Sequence, residues 1–127
     1  MRRTEQRRAA VFALYQRDVT GRPLGELVDP RATPFTRELV EGVDAEAEQL
    51  DALIERHARD WTLDRIAPLE RNILRVALHE LLHRDDIPAE VAIDEAVESA
   101  KELCAAEAPA FINGILGSVQ RDRTAPA

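Results

Sequence analysis

The stretch PLERNILRVALHELL at residues 68–82, followed by IPAEVAIDEAVESAKEL at 87–103 and APAFINGILGSV at 108–119, decides the fold. In each run apolar residues return every three or four positions: Leu69, Ile73, Val76 and Ala77; then Ala92, Ala96, Val97, Ala100 and Leu103; then Phe111, Ile112, Ile115 and Leu116. That is the period of an α-helix with one face in a core. Ala92, Ala96 and Ala100 add a small-residue face on which neighbouring helices can approach closely, so the second run is expected at the centre of a bundle.

Upstream, the pattern predicts a helix from about Thr4, as N-cap, to Val19, ended by Thr20-Gly21-Arg22-Pro23. Pro30 and Pro34 bracket a loop. One long helix is then expected from about Phe35 to Ala58, with Leu39, Val43, Leu50, Leu53, Ile54 and His57 on one side and an acidic face opposite. Trp61 and Leu63 are expected to pack in the turn before Pro68, which suits the first turn of the next helix. Nowhere do β-branched and aromatic residues alternate, whereas Ala, Leu, Glu and Arg dominate, so the fold class is all-α. A chain of 127 residues, 45% hydrophobic with five glycines, fits one folded domain over 1–127. Within it, residues 1–8 read as an arginine-rich arm and 122–127 as a frayed tail.

A lone cysteine, Cys104, excludes an internal disulfide and a thiolate-rich metal site, and reads as a small buried packing residue. The longest uncharged stretch, Ala108 to Gln120, is 13 residues, whereas a membrane-spanning helix needs about 20. Met1-Arg2-Arg3 followed by the apolar run from Ala9 to Leu14 imitates a secretory leader. Gln16, Arg17 and Asp18 interrupt that run with no small-residue cleavage site behind them, so no leader is expected.

Charge is divided unevenly. Residues 1–8 hold Arg2, Arg3, Arg7 and Arg8 against Glu5, a balance of +3, which leaves −10 on the rest of a chain whose formal charge is −7. Guanidinium forks match phosphate oxygens, so a basic element on an acidic body is a directed anion-binding device; the alternative is an arm paired with that body. Arg8, Phe12 and Tyr15 stand at i, i+4 and i+7 with Arg7 beside them, which suits single-stranded RNA held by phosphate contacts and aromatic stacking. Tyr15 reads equally well as a core tyrosine. His79-Glu80-x-x-His83 is a literal H-E-x-x-H, whose histidines could bind zinc while Glu80 activates water, with Glu98 or Glu102 as third ligand. Glu70, Arg71 and Arg75 lie on successive turns, where helix capping and surface ion pairs are the plain reading.

Several of these segments together resemble the NusB family of transcription antitermination factors. They are Leu69-Glu70-Arg71-x-Ile73-Leu74-Arg75, Glu80-Leu81, Val91-Ala92-Ile93-x-Glu95-Ala96 ending in Lys101, and Phe111-x-Asn113-Gly114. Upstream, Leu14-Tyr15-Gln16, Leu39-Val40-x-Gly42-Val43 and Trp61 continue the likeness over nearly the whole chain.

The resemblance implies two packed three-helix bundles in a cytoplasmic, noncatalytic protein without cofactor or metal. It further implies binding of single-stranded boxA RNA on nascent ribosomal RNA transcripts together with NusE, a small-subunit ribosomal protein, within the antitermination complex of RNA polymerase. By resemblance Arg7, Tyr15 and Gln16 face RNA, Arg2, Arg3 and Arg8 add to the basic surface, Glu107 and Phe111 border it, and Glu70 and Arg75 face NusE. Some relatives form homodimers that cover the RNA surface. Asn113-Gly114 is expected to be a close-packing site. The chain departs from the family pattern at Arg8, commonly acidic; at His79, commonly Tyr; at Asp94, commonly Asn; at Gly117, commonly acidic; and in a shortened connection over residues 20–34. An interaction-only helical module, like that attached to some ribosomal RNA methyltransferases, is the alternative, and a zinc metallopeptidase through His79-Glu80-x-x-His83 the remote one. No glycine-rich cofactor loop follows a strand, so methyltransferase activity is excluded.

Overall fold

The computed structural model describes residues 2–59 and 61–126, and among them it contains seven helices and no strand. They are α1 (Arg3–Thr20), α2 (Leu24–Leu27), α3 (Pro34–Ala45), α4 (Ala47–His57), α5 (Pro68–His83), α6 (Ala89–Leu103) and α7 (Ala108–Thr124), with one 3-10 turn at Leu63–Arg65. α1 packs on α2 and α3, α6 packs on α5 and α7, and α4 leans on α5 and α7.

The helix ends follow local chemistry, with some departures from expectation. α1 stops at Gly21, whose φ of 75° lets its N–H reach the Arg17 carbonyl at 2.8 Å, the left-handed cap that glycine adopts without strain. Thr4 is not its N-cap; the cap is Arg2, and the Thr4 hydroxyl donates instead to Glu95 at 2.9 Å. α3 starts on Thr33, whose side chain accepts the Thr36 N–H, with Pro34 in the first turn. The single helix expected over residues 35–58 is two, broken at Glu46 (φ −116°, ψ 22°). No proline marks this break. Its cause is tertiary: Leu39, Val40 and Val43 lie on the helix that meets α1 and α5, whereas Leu50 and Ile54 lie on the one that meets α5 and α7. α7 continues to Thr124, so residues 122–124, expected in a frayed tail, are helical.

The centre of the fold is α5, not α6 as the alanine stripe predicts. Every residue from Asn72 to Leu81 is buried, and α5 touches α1, α3, α4, α6 and α7. Ala92, Ala96 and Ala100 do bury their face, but Val91, Asp94 and Glu98 on the same helix are exposed. Leu14, Leu39, Leu50, Leu74, Leu78 and Leu116 are fully enclosed, each stabilising the fold by about 1.5–3 kcal/mol of transfer free energy. α5 also buries Asn72, Arg75, His79 and Glu80, which it tolerates only where partners meet them. α3 comes close because residue 42 is glycine: a methyl group there would overlap the His79 ring.

Two packing expectations change. Trp61 is 49% exposed, standing edge-on to Phe111 with ring centroids 5.9 Å apart. Asn113 and Gly114 are exposed, and a methyl group at Gly114 would touch nothing, so this pair is no close-packing site. Cys104 is half-buried at the end of α6, its thiol pushed up to about 11 by burial and then by Glu70. No helix of the described residues is long and apolar enough to cross a membrane.

Candidate nucleic-acid interface

The basic start of the chain is the first turns of α1, and its arginines have different fates. Arg7 is buried: its Nε donates to both Glu80 carboxylate oxygens at 3.0 Å and its Nη2 to one of them at 2.8 Å. Glu95 lies 3.7 Å away. Expected to face RNA, Arg7 instead ties α1 to α5 from inside, because its place on the helix turns it toward the acidic residue of α5. Arg8 donates to Glu102 of α6 at 2.6 Å, and its guanidinium holds that carboxyl below the usual range. Arg3 lies over the Phe35 ring, 4.4 Å from its centroid, where Arg7 and Arg84 also gather. Arg2 is exposed, with Glu5 at 3.7 Å. Solvent therefore meets Arg2 and Arg3, whereas Arg7 and Arg8 are occupied by the acidic body.

Along the same helix Tyr15 is half-buried and Gln16 exposed. Gln16 and Phe12 line a cavity with Leu27, Arg31 and Thr33, which does not include Tyr15. The expected stripe of Arg7, Arg8, Tyr15 and Gln16 is thus not brought together as one face.

The polar residues of α5 are organised inward. Arg75, expected at a partner surface, is 6% exposed; it forks onto Asp51 of α4 at 2.7 and 2.9 Å and reaches Asp18 of α1 at 2.7 Å. His79 is packed against Gly42, and its ring stands 5.2 Å from that of His83, which meets Glu46 at 2.6 Å. Burial, and then neighbouring His83, hold the His79 pKa below the usual histidine value. Glu80, the residue that would activate water in a zinc peptidase, is 1% exposed and held by Arg7. Among the described residues no group of three or more His, Cys, Asp or Glu could hold a metal ion.

Two pockets meet at the Trp61–Phe111 pair, and of their lining the sequence pointed to Glu70, Glu107 and Phe111 but not to Trp61, His57, Arg59 or Arg121. One is acidic and apolar, lined by Trp61, Arg65, Ile66, Glu70, Glu107 and Phe111. Here burial, and then the Glu107 carboxylate, raise the Glu70 pKa above its ordinary 4.5. A second pocket beside it is lined by His57, Arg59, Trp61, Phe111, Ser118 and Arg121, with no carboxylate from the described residues in its wall. The sequence signal was present but weak: Trp61 lies in a polar run, which an interior tryptophan seldom does.

Residues 4–121 match the model of the NusB family. The transcription antitermination protein NusB of Myxococcus xanthus (strain DK1622) is 42% identical over 131 residues, spanning 93% of this chain and 93% of that protein. That of Thermobifida fusca (strain YX) is 41% identical, spanning 95% and 90%. In space, NusB of T. maritima overlays with a TM-score of 0.88 at 33% identity, covering 96% of this chain and 92% of the other. A crystal structure of antitermination factors NusB and NusE in complex with dsRNA overlays at 0.82 with 26% identity, covering 96% and 99%. An all-helical frame, a basic first helix and this agreement along almost the whole length lead to one conclusion: the chain belongs to the NusB family.

Proposed function

We propose that this chain is a noncatalytic transcription antitermination factor that binds single-stranded boxA RNA of nascent ribosomal RNA transcripts together with NusE, in the cytoplasm, and so modifies RNA polymerase against premature termination. The observation that carries the reading is the relative solved with NusE and RNA, whose fold this chain shares. Two modest contacts, one to RNA and one to NusE, become one tighter assembly through effective concentration. Arg2, Arg3, Tyr15, Gln16 and Phe111 are assigned to RNA, with Glu107 at its border and Glu70 toward NusE. Arg8 joins the RNA surface by exchanging Glu102 for a phosphate, and Arg7 holds the helix in place.

Fluorescence anisotropy with boxA, a scrambled strand and a duplex, each with and without NusE, tests this. BoxA is expected to bind best, and more tightly with NusE. Tyr15→Ala is expected to weaken boxA binding by about 1–3 kcal/mol, the worth of one stacked base, with helix content unchanged. Equal affinity for boxA and the scrambled strand in the presence of NusE would leave only an interaction module.

Glu70 makes the NusE contact pH-dependent. Its raised pKa in the free protein is lowered again when a cationic group of NusE sits beside it, so binding releases a proton. Affinity should therefore rise with pH from the ordinary carboxylate value of 4.5 up through the raised value, and level off above it. Glu70→Gln should flatten the profile. Calorimetry showing the same pH dependence in that variant would remove Glu70 from the interface.

A further inference from the structure

We infer that the groove between Trp61 and α7 is a binding site for one unpaired RNA nucleotide, its base against the Trp61 ring and its phosphate between Arg59 and Arg121. The inference rests on the proposed RNA-binding function and adds to it a contact surface away from the basic start of α1.

Charge points to an anion. The chain carries −7, and at the start of α1 Arg7 is held by Glu80 and Arg8 by Glu102, which leaves Arg2 and Arg3 to solvent there. Arg59 and Arg121, by contrast, have no carboxylate partner among the described residues, and they line a groove to which the described residues contribute no Asp or Glu. Asp122, next to Arg121 in sequence, is 3.4 Å from His57 Nε2, while His57 Nδ1 meets the Ser118 hydroxyl at 2.7 Å. His57 is therefore a fixed floor, and the two guanidinium groups remain available to a phosphate.

Shape and aromatic exposure point to a base. Trp61 is 49% exposed although it is the largest apolar side chain of the molecule, and Phe111 meets it in a T-shaped contact and not a parallel stack. An open indole face accepts any base by stacking, whereas bases within a duplex are already stacked and paired. The cavity of about 400 Å³ falls in the range of pockets that hold small ligands, roughly 300–1,000 Å³.

Backbone conformation adds an independent mark. Arg59 follows the α4 C-cap at φ 46°, the only described non-glycine residue with positive φ. Glycine is the residue that favours this position after a helix. An arginine held there against its backbone preference is the kind of local strain that clusters at ligand sites.

Trp61 is the sole tryptophan, so its emission reports on the groove directly. The test titrates the full chain with dye-labelled single-stranded boxA RNA, with and without NusE, following anisotropy and Trp61 emission. Quenching is expected on binding, and Trp61→Leu should bind about tenfold more weakly. Arg59→Gly and Arg121→Gln should each weaken binding several-fold and lower the slope of log affinity against log salt by about 0.7. Because glycine suits the Arg59 conformation, the melting temperature of Arg59→Gly should equal or exceed that of the unaltered protein, which separates contact from folding. Unaltered affinity and slope in both arginine variants overturn the site, whatever the emission does, and leave RNA binding elsewhere intact. Quenching by NusE alone, with no further change on adding RNA, assigns the groove to protein and also overturns it. No RNA binding under any condition removes both this site and the antitermination reading.

Discussion

Arg7→Ala is expected to destabilise the fold by about 3–5 kcal/mol, because it leaves the Glu80 carboxylate buried without its counter-charge. Glu80 is 1% exposed, and its side-chain bonds come from Arg7. Against a typical total of about 5–15 kcal/mol, the loss is a third of the stability or more. Equilibrium urea unfolding followed by circular dichroism would measure it. Glu80→Leu alone should cost less, because Arg7 keeps Glu95 at 3.7 Å, while the double variant Arg7→Met with Glu80→Leu should recover most of the loss, since a packed apolar pair replaces a costly buried ion pair. The same set settles what Arg7 does for RNA. If the double variant folds and still binds boxA, Arg7 acts by placing α1. An Arg7→Ala protein of unaltered stability with weakened RNA binding would return Arg7 to the RNA surface.

That pair shows why the sequence could be read to the level of helices but not of site residues. Periodicity located α5, α6 and the start of α7 to within a residue or two, because apolar spacing within one segment is a local property. Which polar residues turn inward is not local. Arg7 belongs to the same run of arginines as Arg2, Arg3 and Arg8, and only the approach of α5 decides that it alone is enclosed. Glu80 looked like half of a metal motif for the same reason: H-E-x-x-H fixes spacing along one helix and says nothing about what another helix brings to the glutamate. The division of residues 35–58 at Glu46 is also a tertiary effect, set by two different packing partners without a proline to announce it. Trp61 was assigned to a turn core on hydrophobicity alone, whereas its exposure depends on α7 supporting it from the side.

The second large effect is expected at Arg75, where charge joins three helices. Its guanidinium forks onto Asp51 of α4, reaches Asp18 of α1, and accepts support from Asn72, whose Oδ1 receives Nη1 at 3.0 Å while Nδ2 donates to Asp18 at 2.9 Å. Arg75→Ala should cost about 2–4 kcal/mol, somewhat less than the loss at Arg7, because the two carboxylates keep side-chain exposures of 15% and 23% and water can reach them. Arg75→Lys keeps the charge but loses the planar fork, and should cost about half as much. The network also has a pH signature. Burial works against the charged form of Asp18, but the Asn72 bond and the Arg75 and Arg71 charges outweigh it and hold its pKa below 3.8. A carboxyl lowered on folding stabilises above its unfolded pKa, and that contribution is lost as pH falls through the folded value. The unaltered protein should therefore lose urea resistance as the pH falls from 3.8 through the lowered value more steeply than an Asp18→Asn variant. NusE binding by Arg75→Lys, measured where the variant is fully folded, should match that of the unaltered chain, since Arg75 does not reach the surface. Lost NusE binding in a variant with unchanged urea midpoint would put Arg75 back at the partner interface that its position on the helix first suggested.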